Sequence, residues 1–260
     1  MSELHDTLRD ALAELAHLDP SLRRFGARHH RYQPGPPLSP ARVAELEAAA
    51  GVALPDDYRE HLLHVGDGGA GPYLGLMPLD HPIQRALLAD RGAPTADDPW
   101  HGVVGLAHLG CNHVAFLVVD GPARGQVWLD ARGIDAGVFA THPSFLAWYL
   151  TWIDSLARGQ WPDPLVPPGR CAVPVALTKY LHRLEQQRGV APGGLDRAAV
   201  AEAMADVAEG SLRTLAIGSS PFFDHQDPVD ICLRCEHLLE QLGVARSAAA
   251  PGLPPRPCRP

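Results

Sequence analysis

Lysine is nearly missing from this chain: Lys179 is the single lysine among 22 basic residues, and arginine supplies the rest. We read this as a codon preference, not as a physical signal. Long apolar runs are missing too. The longest, such as Val114–Val119, are far too short to span a bilayer. Met1–Asp19 carries acidic residues in an amphipathic pattern instead of the basic start and continuous apolar segment of a signal peptide. Five cysteines, an odd number in 260 residues, do not make a disulfide framework. These absences point to a cytoplasmic protein without a membrane partner. Acid, by contrast, is in excess. The net charge is −8, and residues 1–160 hold 19 acidic against 12 basic side chains, while residues 161–260 hold 11 against 10. The first part therefore disfavours nucleic acid and favours a basic partner. The same charge would also serve as a plain solubilising surface.

Leu4, Leu8, Leu12, Leu15 and Leu18 recur at helical spacing, and Asp19-Pro20 closes that helix. Residues 26–37, rich in Gly, Pro, His and Arg, read as an irregular crossing. Ser39-Pro40 opens a second helix as N-cap and first helical residue, Val43, Leu46 and Ala50 line it, and Gly51 stops it. A third helix starts near Pro55, buries Tyr58, Leu62 and Val65, and ends at Gly66. Tyr73–Leu79 reads as extended. Val103–Leu106, His113–Val119 and Gln126–Leu129 are short Val/Leu/aromatic runs between turn residues, the pattern of a largely antiparallel sheet. Residues 90–101 read as a loop. Ser144 caps a helix with Phe145, Trp148, Tyr149, Trp152, Ile153 and Leu156 on one face, which implies hard packing onto a sheet.

Trp161–Arg170 holds four prolines in ten residues, which places a linker and domain boundary at 161–170. Beyond it the spacing predicts a helix over Cys171–Arg188, with Val175, Tyr180, Leu181 and Leu184 apolar. A second follows, capped by Asp196, with Val200, Met204 and Val207 inward. A buried strand over Leu212–Ile217 and a final helix over Asp230–Leu242 complete the domain. Residues 246–260, with five prolines, read as a disordered tail.

Gly66, Asp67, Gly68, Gly69, Gly71, Pro72 and Tyr73 form the densest glycine loop, and no catalytic side chain accompanies it. No Gly-Lys-Ser/Thr follows it and no strand precedes it, so it is neither a phosphate loop nor a dinucleotide fingerprint. Two readings remain: a tight turn that lets helix and strand pack closely, or a direct contact with a partner. His29, His30, His61, His64 and His101 are scattered without metal-like spacing. The run Leu54-Pro55 with Tyr58, the glycine loop and Leu76 resemble the SUKH superfamily, which includes the yeast Smi/Knr regulators and many bacterial immunity proteins. Gly110-Cys111, Gly121-Pro122, Gly125, Val127-Trp128 and the Phe145–Trp152 helix continue the resemblance. It spans about residues 20–157 and implies an α+β domain over 1–160, with helices beside a mixed, mostly antiparallel curved sheet. It also implies a binding role, in many members the neutralisation of a toxin by direct contact.

Cys171, Cys232 and Cys235 are a second constellation. Cys-x-x-Cys at the start of one helix and a cysteine at the start of another put three thiols where helix N-termini stabilise thiolates, a possible zinc set completed by water. Gly169-Arg170-Cys171-Ala172, Ala176-Leu177, Tyr180-Leu181 and the stretch from Cys232 to Val244 resemble the YwqJ-related deaminases. That implies a smaller αβα domain over 171–245. The family's proton-shuttling glutamate, two residues after the first zinc ligand, is replaced by Val173, and Asp230-Ile231 stands where a proline usually precedes the paired cysteines. Valine transfers no proton, and loss of such a group typically costs about 10²–10⁴-fold in rate. The expectation is a deaminase-like module that keeps zinc without catalysis, behind an acidic toxin-binding domain. The alternatives are three ordinary cysteines, an active zinc deaminase using Glu185 or Glu236, and a regulatory interaction protein with no toxin partner.

Overall fold

The computed structural model describes residues 2–24, 26–110, 113–134, 136–160, 172–209 and 233–242. The architecture is α+β. The described residues form two compact units, one running from the first helix to the aromatic helix at 145–157, the other containing the last three helices. The expected linker at 161–170, the strand at 212–217 and the tail at 246–260 lie outside the described residues.

The first unit opens with α1 (Ser2–Leu18), which buries Leu8, Leu12 and Leu15. Asp19 then fixes the exit: its carboxylate accepts from the Arg23 amide at 2.8 Å, the Arg24 amide at 3.0 Å and the Tyr32 hydroxyl at 2.8 Å. A single helical turn, α2 (Ala27–His30), interrupts the irregular crossing. The α3 helix (Pro40–Ala50) starts where Ser39 Oγ accepts from the Arg42 amide and stops at the left-handed Gly51. The α4 helix (Asp56–His64) buries Tyr58, His61 and Leu62. A helix not expected from the sequence, α5 (Pro82–Ala89), follows, capped by the His81 imidazole.

The sheet has β1 (Val103–Gly110), β2 (His113–Val118), β3 (Val127–Asp130) and β4 (Val138–His142) in chain order. The β2–β3 and β3–β4 pairs are antiparallel, with Phe116 opposite Trp128 and Leu129 opposite Phe139. The sheet order follows the chain, and both pairs agree with the mostly antiparallel sheet expected from the sequence. Every residue of β1 and β2 is buried. The segment read as extended at 73–79 pairs by isolated bridges. Leu76 faces both Gly69 and Ala107, and the Met77 amide donates to the Leu106 carbonyl at 2.8 Å. This segment closes the β1 edge, which would otherwise present unpaired backbone groups.

The core is aromatic. In α6 (Phe145–Ala157) all six stripe residues named from the sequence are buried. Ser144 Oγ caps it by accepting from the Ala147 amide, and Asp57 Oδ2 accepts from the Leu146 amide at 2.8 Å, which places a charge from α4 at the positive end of α6. His61 packs edge-on against Phe145 and Tyr149, with ring centroids 4.9 and 4.8 Å away. Gln84, fully buried on α5, grips β1 through both ends of its amide: Nε2 donates to the Gly105 carbonyl at 2.6 Å and Oε1 accepts from the Gly105 amide at 2.9 Å.

The second unit contains α7 (Ala172–Arg188), α8 (Arg197–Glu209) and α9 (Leu233–Gln241), and α7 packs on α9. Asp196 Oδ1 accepts from the Ala199 amide at 2.8 Å, the cap expected there. The inward residues of α7 are Val173, Leu177 and Glu185; Tyr180, Leu181 and Leu184 are half-buried. On α8, Ala203 and Met204 are buried.

Candidate binding surface

The glycine loop is an interior joint. Gly66, Asp67, Gly68, Gly71 and Pro72 are buried, and only Gly69 and Tyr73 are partly exposed. Three stretches of backbone meet here. The Gly35 amide donates to the Gly68 carbonyl at 2.9 Å, the Ala70 amide to the Gln33 carbonyl at 2.8 Å, and Gly69 and Leu76 exchange hydrogen bonds at 3.1 and 2.8 Å. A Cβ on Gly66 would stand 2.2 Å from the Gly35 carbonyl oxygen, and one on Gly69, whose φ is +81°, would stand 2.5 Å from that of Gln33. These glycines are required by close backbone approach. The Asp67 carboxylate accepts from the Leu79 amide at 2.6 Å and the Asp80 amide at 3.4 Å. Burial pushes its pKa up, and those two amides pull it back. From α6, the Tyr149 hydroxyl donates to the Ala70 carbonyl at 2.8 Å. The structure thus brings the seven loop residues together as a joint that offers little surface to a ligand.

The outer charge is arranged differently. Arg42 holds Asp80 with two nitrogens at 3.1 and 2.5 Å, and Arg85 reaches the same carboxylate at 2.7 Å. The Arg42 guanidinium keeps the Asp80 carboxyl below its usual range. The loop after α5 carries Asp90, Asp97 and Asp98, all exposed. His101 bridges two of them, with Nδ1 2.9 Å from Asp90 and Nε2 3.0 Å from Asp98. Its pKa is raised, first by the hydrogen bond to Asp90. Arg91 pairs with Asp120 at 2.9 Å, and Arg132 pairs with Asp130 at 2.8 Å while donating to the Asp97 carbonyl at 2.9 Å. Arg42, Arg85, Arg91 and Arg132 are thus drawn into pairs within the molecule. Asp10, Glu14, Asp56 and Asp97 remain exposed outside those pairs.

Residues 37–150 match the SMI1 / KNR4 family (SUKH-1). The SUKH-1 match takes in α3 to β4, the glycine joint and half of α6. It ends before the second unit and begins after α1. No curated protein and no solved structure matches the chain.

Beyond the SUKH-1 segment, Cys171 and Cys232 lie outside the described residues; Cys235 is fully buried in the first turn of α9. Val173 is 2% exposed and belongs to the apolar stripe of α7, so its side chain serves packing. Glu185 is buried too, and its Oε1 accepts from the Gly193 amide at 2.6 Å. It lies 12 residues beyond Val173 on the same helix, about 18 Å along the axis. No helix among the described residues is long and apolar enough to cross a membrane. The histidines correct one expectation. His64 is not isolated: the fold gathers it with His5 and Glu60. The Glu60/His64 pair, four apart on one helix, was legible in the sequence; the arrival of His5 from α1 was not.

Proposed function

We propose that the chain is a cytoplasmic, non-catalytic binding protein whose first unit covers a basic protein partner, as an immunity protein covers a toxin domain. The match of residues 37–150 to SUKH-1 carries this reading. The interior place of the glycine loop supports it, because the loop's unusual composition is accounted for by folding and leaves no nucleophile or acid–base pair there. The acid excess of residues 1–160 supports a basic partner, steered by opposite charge and released by salt. The second unit then acts as a scaffold or further contact. Val173 inside the α7 stripe, and Glu185 engaged with Gly193, favour that over deamination. The zinc set of Cys171, Cys232 and Cys235 belongs to this reading as a structural staple.

The test is recovery of a dedicated partner by the full chain from its native cells, followed by titration of that partner's activity. Inhibition that saturates at one chain per partner and weakens with salt is expected. A recovered partner whose activity is unaffected at saturation would overturn the immunity reading, and recovery of no partner would overturn the binding reading.

A further inference from the structure

Two helices far apart in sequence deliver three metal-ligating side chains to one place. His5 comes from α1, and Glu60 and His64 come from α4, which packs against α1. Four residues apart, Glu60 and His64 share a helix face, and His64 Nε2 lies 3.4 Å from Glu60 Oε2. The His5 and His64 rings stack with centroids 4.8 Å apart and planes 20° from parallel. One ligand atom from each of the three side chains lies within 4.8 Å of the others. His5 is 7% exposed, and its Nδ1 has no hydrogen-bond partner. A buried ring nitrogen without a partner is costly unless something else supplies one. Arg9, which stands 4.0 Å from Asp6, donates to the His64 carbonyl and so holds the end of α4 against α1.

We propose that His5, Glu60 and His64 bind a divalent ion of the zinc, nickel and copper class, clamping the N-terminal helix onto α4. Two imidazoles and one carboxylate suit those borderline ions, whereas calcium and magnesium prefer all-oxygen shells. Tetrahedral bonds of about 2.0–2.1 Å separate ligand atoms by about 3.4 Å. The Glu60–His64 pair already has that spacing; the His5 ring closes the remainder by tilting out of its stack. The His64 side chain is 53% and the Glu60 side chain 23% exposed, so the fourth position faces solvent and takes water. No sulfur takes part, so the site is spectroscopically distinct from any thiolate site of the second unit.

The test is Co²⁺ titration of the metal-stripped full chain at about pH 7.5, where unperturbed imidazole is mostly neutral, reading the ligand-field band of a nitrogen–oxygen site, with Zn²⁺ as competitor. One sulfur-free equivalent is expected. His64→Ala and Glu60→Gln, both at partly exposed positions, should each weaken it by about tenfold or more. Zn²⁺ should raise the melting temperature of the parent chain and not that of the His64→Ala variant. The proposal is overturned if the sulfur-free band is missing at millimolar cobalt, or if both variants bind with the parent affinity.

Discussion

Acid should unfold the first unit well before its carboxylates titrate, because three of the histidines buried there have strongly lowered pKa values. His30, His61 and His108 are 6%, 2% and 9% exposed. Burial pushes the His30 pKa down to about 4 and those of His61 and His108 to about 3. An unfolded imidazole titrates near 6.5. Between those values the unfolded chain binds protons that the folded chain refuses, so stability falls as pH falls. Each histidine then costs about 1.4 kcal/mol per pH unit, and three cost about 4. Going from pH 7 to pH 5 removes about 6 kcal/mol, comparable to the whole stability of an ordinary domain. The loss levels off only near pH 3 to 4, at the folded values. Asp19, Asp80 and Asp120, whose pKa values are lowered, lose their contributions below the usual carboxylate range and so act after this window. Two groups oppose the trend: Asp67, raised by burial, and His101, raised by Asp90 on the surface. The assay is urea unfolding followed by fluorescence of Trp100, Trp128, Trp148 and Trp152, all in this unit, at several pH values between 7.5 and 5. His61→Leu should flatten the slope by about a third. A slope below about 1 kcal/mol per unit between pH 6 and 5, or one unaffected by His61→Leu, would refute the reasoning.

Gln84→Leu strips the Gly105 amide and carbonyl of their partner inside the core and should cost about 2–4 kcal/mol in urea unfolding. Gly66→Ala drives a methyl into the Gly35 carbonyl and should yield less soluble chain with a clearly lower melting temperature, even though Gly66 needs no positive φ. Asp57→Ala removes the acceptor at the start of α6 and should cost about 1 kcal/mol. The purified chain should release no ammonia from cytidine, adenosine or their bases, and turnover that disappears with Cys235→Ser would overturn the role assigned to Val173.

The elements legible in the sequence are those with large residues in strict period and a chemical stop at each end. The α6 stripe has no second solution, because four bulky rings behind a serine cap leave one face that can be buried. Ser39-Pro40 and Gly51 bracket α3 for the same reason. The misses are local signals too weak to read. The α5 helix is short and capped by a histidine, an unusual acceptor at that position. The β4 strand is half-buried and pairs with β3 through an irregular register, so its alternation is faint. β1 runs on to Gly110, although His108 and the glycines dilute its apolar run, because both of its faces are covered. Glycine density in 66–71 was visible at once, but its cause was not. The oxygens that exclude a Cβ belong to Gln33 and Gly35, some 30 residues away. The same limit hid His5 from Glu60 and His64.

On the binding role proposed above, the joint where residues 33–36, 66–70 and 75–79 interlock has a consequence for how such a protein would acquire new targets. With carbonyl oxygens occupying the room a methyl would need at Gly35, Gly66, Gly69 and Gly75, a substitution at any of these is answered by the fold before any partner could respond to it. Diversification is pushed outward, onto the carboxylate-bearing turns and the solvent faces of the helices. On that reading, the segment that most invites attention in the primary structure is the poorest guide to whom the molecule would recognise.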